Sequence, residues 1–231
     1  MNSIVKPATY ILLLCITVIM SSCYPLKKYD PKDRAWALPE INAFEPQNAP
    51  TDYSEDAILF IGSSSIRLWK TLADDMVPYP VIQRGYGGAH FRDMVFFTDR
   101  ILADHDLSMV VCFVANDISG SSKDGSPKEV LSLFKLFVKQ VREKHPDIPI
   151  LQIAVTPTLS RWDYWDEINK VNQLLKSYCE KTANLYFVDT VPTYLDTFKQ
   201  TKSEWVVKDQ LHLNGKGYEI WIVLIKTEIE R

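Results

Sequence analysis

From residue 57 onward, unbroken apolar runs of strand length alternate with stretches in which apolar residues recur every three or four positions. The runs are Ala57 to Ile61, Val81 to Gln83, Met109 to Val114, Ile148 to Val155 and Leu185 to Val188. A strand reads as a continuous apolar run, instead of an in-out alternation, when helices cover both faces of its sheet. The pattern therefore predicts five parallel strands. Helical spacing links Val130, Leu133, Phe134, Phe137, Val138 and Val141, and again Ile168, Val171, Leu174, Leu175 and Tyr178. Asn214 is placed to cap a last helix through Tyr218, Trp221 and Leu224. The sum is a three-layer α/β domain, and open sheets of this kind bind ligands at the carboxyl ends of their strands.

The first residues follow another pattern. Lys6 supplies positive charge, and Tyr10 to Met20 form an apolar run too short for a comfortable membrane span. Ser21 and Ser22 then precede Cys23. The arrangement resembles the lipobox of bacterial lipoproteins, with Met20 in place of the more usual leucine. It implies that residues 1–22 are a signal peptide, that Cys23 is lipidated, and that the mature chain is anchored at the membrane of the bacterial cell envelope. An ordinary secretory signal or an uncleaved anchor is the alternative, and export follows either way. Residues 23–55 carry prolines at 25, 31, 39, 46 and 50 with Lys27 and Lys28, the composition of a tether. Trp36, Ile41 and Phe44 within it are expected to anchor a short helical piece onto a domain spanning 56–231.

Composition narrows the field without naming a function. The 231 residues are 46% hydrophobic and 24% charged, enough for one domain with a sizeable core. A formal charge of -3, with basic residues scattered among acidic ones, leaves no footprint for nucleic acid. Of four cysteines, Cys15 falls in the signal and Cys23 at the lipidation position, so Cys112 and Cys179 alone remain in the domain. No disulfide framework follows, no Cys/His cluster has metal-ligand spacing, and neither metal nor cofactor is expected.

Four blocks, in chain order, fall at the predicted carboxyl edge of the sheet. Gly62-Ser63-Ser64-Ser65 follows the first strand, where a glycine permits a sharp strand-to-helix turn and lifts a serine to the edge. Arg84-Gly85-Tyr86-Gly87-Gly88 follows the second and lacks the spacing of a phosphate loop or dinucleotide fingerprint. Its use would be a bare amide near a developing oxyanion, which a side chain at Gly88 would obstruct. Asn116-Asp117 ends the third strand with an amide able to donate. Asp209-Gln210-Leu211-His212 is the sharpest, because its spacing lets a carboxylate meet imidazole Nδ1 while Nε2 faces a serine. Each block has a bland use in turns and caps, but all four in order on one edge supply the parts of a serine esterase. His90, His105 and His145 have no comparable carboxylate partner in this reading, although His90 lies near enough to Gly88 to touch a substrate.

These blocks resemble those of the SGNH hydrolases, also called the GDSL lipase/esterase family, in a branch similar to platelet-activating-factor acetylhydrolase. The resemblance rests on Phe60 to Trp69, Gln83 to Asp93, Thr156-Pro157 to Arg161-Trp162, and Asp209 to Tyr218. It implies a flavodoxin-like fold with a five-stranded parallel sheet of order 2-1-3-4-5, and a cofactor-free hydrolase of acyl esters. By position it implies Ser64 as nucleophile and first oxyanion donor, Gly88 as second donor, Asn116 as third, His212 as base and Asp209 as its orienter. Ser63 replaces the aspartate of Gly-Asp-Ser, as in the branch with Gly-Ser-Ser-Ser. Val114 replaces a glycine two residues before Asn116, where a branched side chain would crowd the strand end. The implied activity is that of a lipid-anchored serine esterase removing short acyl groups, O-acetyl groups on carbohydrate among them, from small-molecule or glycan esters. Two alternatives stay open: a lysophospholipase-type lipase, and a non-catalytic glycan-binding surface lipoprotein that stacks sugar on Trp162, Tyr164 and Trp165.

Overall fold

The five apolar runs form one parallel sheet in the order β2-β1-β3-β4-β5 in the computed structural model, with β1 at Ala57–Gly62, β2 at Val81–Gly85, β3 at Leu107–Phe113, β4 at Ile150–Ile153 and β5 at Leu185–Val188. The structure describes residues 29, 31–48 and 56–231, and the fold below concerns the compact unit Pro31–Arg231. The signal segment and Cys23 lie outside the described residues. All six residues of β1 are buried, as a central strand covered on both faces requires.

Alternate strand residues serve opposite layers. Ile58, Phe60, Met109, Val111, Phe113, Leu151 and Ile153 face a core built with Trp69, Tyr218 and Trp221. Trp69 stacks on Tyr218 with centroids 4.9 Å apart, and Phe113 meets Trp221 at 4.7 Å. Rings this well buried are worth about 3–5 kcal/mol each when truncated. On another part of the core Phe91 packs on Phe134 at 5.5 Å.

The helices are α1 at Leu38–Phe44, α2 at Ser64–Leu68, α3 at Leu72–Asp75, α4 at Phe91–Leu102, α5 at Pro127–Lys144, α6 at Trp165–Cys179, α7 at Val191–Tyr194 and α8 at Gly215–Ile229. Asn214 caps α8 as expected, its side chain accepting from the Gly217 amide at 3.1 Å. Ser126 does the same for α5 with Pro127 just inside, a position where a missing N–H costs nothing. Cys179 is the last residue of α6, and both Cys112 and Cys179 are buried free thiols.

Four strands differ from their apolar runs, β1 gaining Gly62 and β2 running on through Arg84 and Gly85. β3 begins two residues before Met109 and ends at Phe113. β4 keeps only four residues of Ile148 to Val155, because the N–H and C=O of Val155 pair with the Asn172 side chain on α6 at 2.8 and 2.9 Å instead of with a neighbouring strand.

Residues 31–48 pack as a 3-10 turn at Pro31–Ala37, then α1, then a second turn at Glu45–Asn48. Ile41 and Phe44 are buried anchors as expected. Trp36 departs from that role and stays 47% exposed, its ring 6.2 Å from that of Tyr86. Among the described residues no helix is long and apolar enough to cross a membrane.

Candidate active site

The turn after β1 depends on one glycine. Gly62 has φ +153°, and a Cβ there would lie 2.0 Å from the carbonyl oxygen of Phe113 on β3. That close approach lets the Ser63 amide donate to the same oxygen at 2.8 Å. Ser63 is extended and its carbonyl accepts from the Ile66 and Arg67 amides at 3.0 and 3.2 Å, so α2 starts at Ser64. The Ser64 amide belongs to the first turn of that helix and has no partner within it. Tyr218 on α8 fixes the turn from below by donating to the Ser65 carbonyl at 2.7 Å. Ser63 and Ser65 are buried, whereas Ser64 is partly exposed at the sheet edge.

Asp209 to His212 form a tight turn with Gln210 in the left-handed region at φ +58°. A non-glycine residue holds such a conformation only where its surroundings fix it. Here the Gln210 amide donates to Val207 at 3.0 Å, the Val207 amide to His212 at 2.8 Å, and the Ser160 amide to the Gln210 carbonyl at 3.1 Å. Asp209 Oδ1 accepts from the Leu211 and His212 amides at 2.9 and 3.0 Å, and Oδ2 lies 2.7 Å from His212 Nδ1. Desolvation alone would raise the Asp209 carboxyl. The bonds from the His212 ring and the two amides outweigh it and hold the group at about 2. An ionised carboxylate only accepts, so Nδ1 carries the proton and Nε2 is left to accept from Ser64 Oγ, 2.9 Å away. Serine, imidazole and carboxylate are thus in line.

Gly88 stands on the loop after β2 with φ +73°. A Cβ there would touch only the Trp36 ring, at 3.5 Å. The positive φ is by itself a reason for glycine at this position. The neighbouring Gly87 amide is occupied, donating to the Glu40 carboxylate at 3.1 and 3.3 Å. Asn116 is joined to this loop, since its Nδ2 donates to the Ala89 carbonyl at 2.8 Å and keeps a second hydrogen. Its Oδ1 accepts from Arg161 at 2.5 Å. Ser64, Asn116, Thr156, Arg161, Leu211 and His212 line one open cleft.

Val114 does not crowd this cleft. Its side chain is on the other face of the strand end, beside Val130, Val155, Ile168 and Val171, because successive strand positions point in opposite directions. The expectation for His90 is corrected as well. Its Nδ1 lies 3.4 Å from Asp93 Oδ1, so it has a carboxylate at the same three-residue spacing as His212. That pair serves α4, where Asp93 Oδ2 also accepts from the His90 amide at 3.1 Å, and His90 is not among the residues lining the cleft. Asp117 is buried and accepts from the Phe91 amide at 3.0 and 3.1 Å. Burial raises its carboxyl to about 6. Trp162 and Trp165 stack with centroids 6.0 Å apart where the Leu159–Tyr164 turn enters α6, and Tyr164 is 41% exposed.

Arg161 is a charged cleft residue to which the sequence assigned no role. It lies in a turn between β4 and α6, so no periodicity marks it, and its contacts are to residues 45 and 46 positions away. Among the described residues no group of three or more His, Cys, Asp or Glu side chains is placed to hold a metal ion.

Known proteins agree with this architecture. A Streptococcus pneumoniae structure provisionally described as a platelet activating factor superposes with a TM-score of 0.73 at 20% identity, covering 96% of this chain and 99% of that one. A GDSL-like lipase from Bacteroides thetaiotaomicron gives 0.70 at 19% identity, with 82% and 97% covered. An acetylxylan esterase from Geobacillus stearothermophilus gives 0.62 at 16% identity, with 77% and 96% covered. No curated protein sequence matches the chain significantly. Residues 62–220, which run from the glycine of the serine turn past the histidine, match the GDSL-like Lipase/Acylhydrolase family. With the five-stranded order and that match together, the chain belongs to the GDSL-like lipase/acylhydrolase family and is a hydrolase acting on esters.

Proposed function

We propose that this protein is a serine esterase in which Ser64, His212 and Asp209 form the catalytic triad, acting on short-chain acyl esters that include O-acetyl groups on carbohydrate. The observation that carries the reading is the 2.9 Å contact between Ser64 Oγ and His212 Nε2, with Asp209 2.7 Å behind the ring. Ser64 Oγ attacks the ester carbonyl carbon while His212 Nε2 takes its proton. The oxyanion of the tetrahedral intermediate is met by the Ser64 and Gly88 amides and the free Nδ2 hydrogen of Asn116, each worth about 3 kcal/mol in such sites. His212 then returns the proton to the leaving alcohol. In the second half, His212 takes a proton from water as it attacks the acyl carbon, and Ser64 recovers its hydrogen as the carboxylic acid departs.

Short acyl groups suit a cleft whose walls include Thr156, Arg161 and Asn116 beside Leu211, since a long chain needs a longer apolar wall. The acetylxylan esterase among the similar structures supports carbohydrate as the alcohol side, by likeness of fold. Val114 gives no support to a non-catalytic protein, because it faces away from Asn116. Across p-nitrophenyl esters from acetyl to palmitoyl, kcat/KM is expected to fall by at least about tenfold beyond butyryl, the order of one or two methylenes refused by a pocket. Turnover confined to long chains would overturn the short-acyl reading in favour of a lipase.

The chain is also exported and held at the bacterial envelope through a lipidated Cys23, a reading supported by Ser21-Ser22-Cys23 directly after the apolar run. Cys23→Ala is expected to leave an uncleaved precursor that takes up no labelled palmitate. Unchanged mass and membrane association in that variant would refute it.

A further inference from the structure

We infer that Arg161 is a positioning residue for the reaction: it fixes which end of the Asn116 side-chain amide faces the oxyanion. This rests on the triad reading above. A side-chain amide has nearly the same shape at both ends, but turning it over would present an oxygen where a donor is needed. Two partners of opposite kind prevent that here. The Arg161 guanidinium has only donors, and it gives one to Asn116 Oδ1 at 2.5 Å. The Ala89 carbonyl only accepts, and it takes one hydrogen of Asn116 Nδ2 at 2.8 Å. The other Nδ2 hydrogen stays in the cleft that Ser64 and His212 share.

A second arm of Arg161 donates to the carbonyl of Ala115, the residue before Asn116. Backbone and side chain at the end of β3 are therefore gripped by one planar fork, which a lysine ammonium could not reproduce. Among the described residues no carboxylate lies within ion-pair distance of Arg161, and the charges of Asp124 and Asp117 act on it only through space. Its location is not explained by charge neutralisation, and it is explained by what it holds. Asn116 is thereby tied at one end to the Gly88 loop and at the other to the turn before α6, so the donors from two strand ends keep a fixed spacing.

The test is a double-mutant cycle on the full mature chain, read as kcat on p-nitrophenyl acetate and as the rate at which a fluorophosphonate modifies Ser64. Arg161→Met and Asn116→Ala are each expected to lower both rates by about 10²-fold, the scale of one lost oxyanion donor, with KM changed by less than about threefold. Combining them should cost no more than Asn116→Ala alone, since Arg161 acts through that amide. Arg161→Lys should retain a loss of about tenfold or more, and it replaces the methionine variant if that one does not fold. Added guanidinium ion should partly restore Arg161→Ala, in which the side chain is cut back to leave room for it, and leave Asn116→Ala unchanged. Multiplying losses in the double variant, or full activity in Arg161→Lys, would overturn the proposal while leaving the triad intact. Absence of Ser64 labelling in the wild-type protein would instead bring down the triad reading.

Discussion

Ser64→Ala is expected to lower kcat on p-nitrophenyl acetate by about 10⁶-fold, the loss seen when the nucleophile of a serine triad is removed. The fold should not notice. Ser64 begins α2 through its backbone, and among the described residues its Oγ is hydrogen-bonded to the His212 ring alone, so stability should shift by no more than a surface substitution does, about 0.5 kcal/mol. Fluorophosphonate labelling should vanish with the hydroxyl. The two flanking serines make the result specific to one position. Ser63 and Ser65 are buried, Ser63 with its amide on the Phe113 carbonyl, and among the described residues neither is hydrogen-bonded to an imidazole. If Ser64→Ala kept more than about a thousandth of the activity, the hydroxyl at that turn would not be the nucleophile. The reading of the 2.9 Å contact would then be wrong.

The sequence carried those parts of the molecule whose causes are local. Continuous apolar runs marked the central strands because they are covered on both faces, and Asn214 marked the start of α8 because a cap is a short-range contact. The carboxylate and imidazole of Asp209 and His212 meet across one turn, so their spacing was enough. The sheet order came from likeness to a family, since nothing in a single apolar run says which strand lies beside it. Helix α4 was not anticipated, although Phe91, Met94, Val95, Thr98, Ile101 and Leu102 are buried at helical spacing. Half-buried Phe96 blurs its polar face, and besides the local His90–Asp93 cap its first amide pairs with Asp117, 26 residues away. Arg161 and Glu40 escaped for the same reason. Each holds a residue just past a strand end from about 45 positions away, Arg161 on Asn116 and Glu40 on Gly87, and such pairs exist only once the sheet is formed.

Asp209→Asn is expected to lower kcat by about 10⁴-fold with the shape of the turn retained. An asparagine Oδ1 still accepts from the Leu211 and His212 amides, which hold the turn. The other end of the side chain changes from acceptor to donor. It would face His212 Nδ1, so the ring would accept there and carry its proton on Nε2. The nitrogen facing Ser64 could then take no proton. The pH dependence of the native enzyme follows from the same contacts. The Asp209 carboxyl is held at about 2, below the ordinary 3.8, so its charged form is the favoured one. Its contribution is complete above about pH 4 and is lost as pH falls through about 2. Protonation of Asp209 therefore cannot cause loss of activity between pH 5 and 8. The Asp209 carboxyl carbon, followed by 13C NMR, should still report the ionised form at about pH 4, and a protonated form there would mean that the bonds orienting His212 do not hold it.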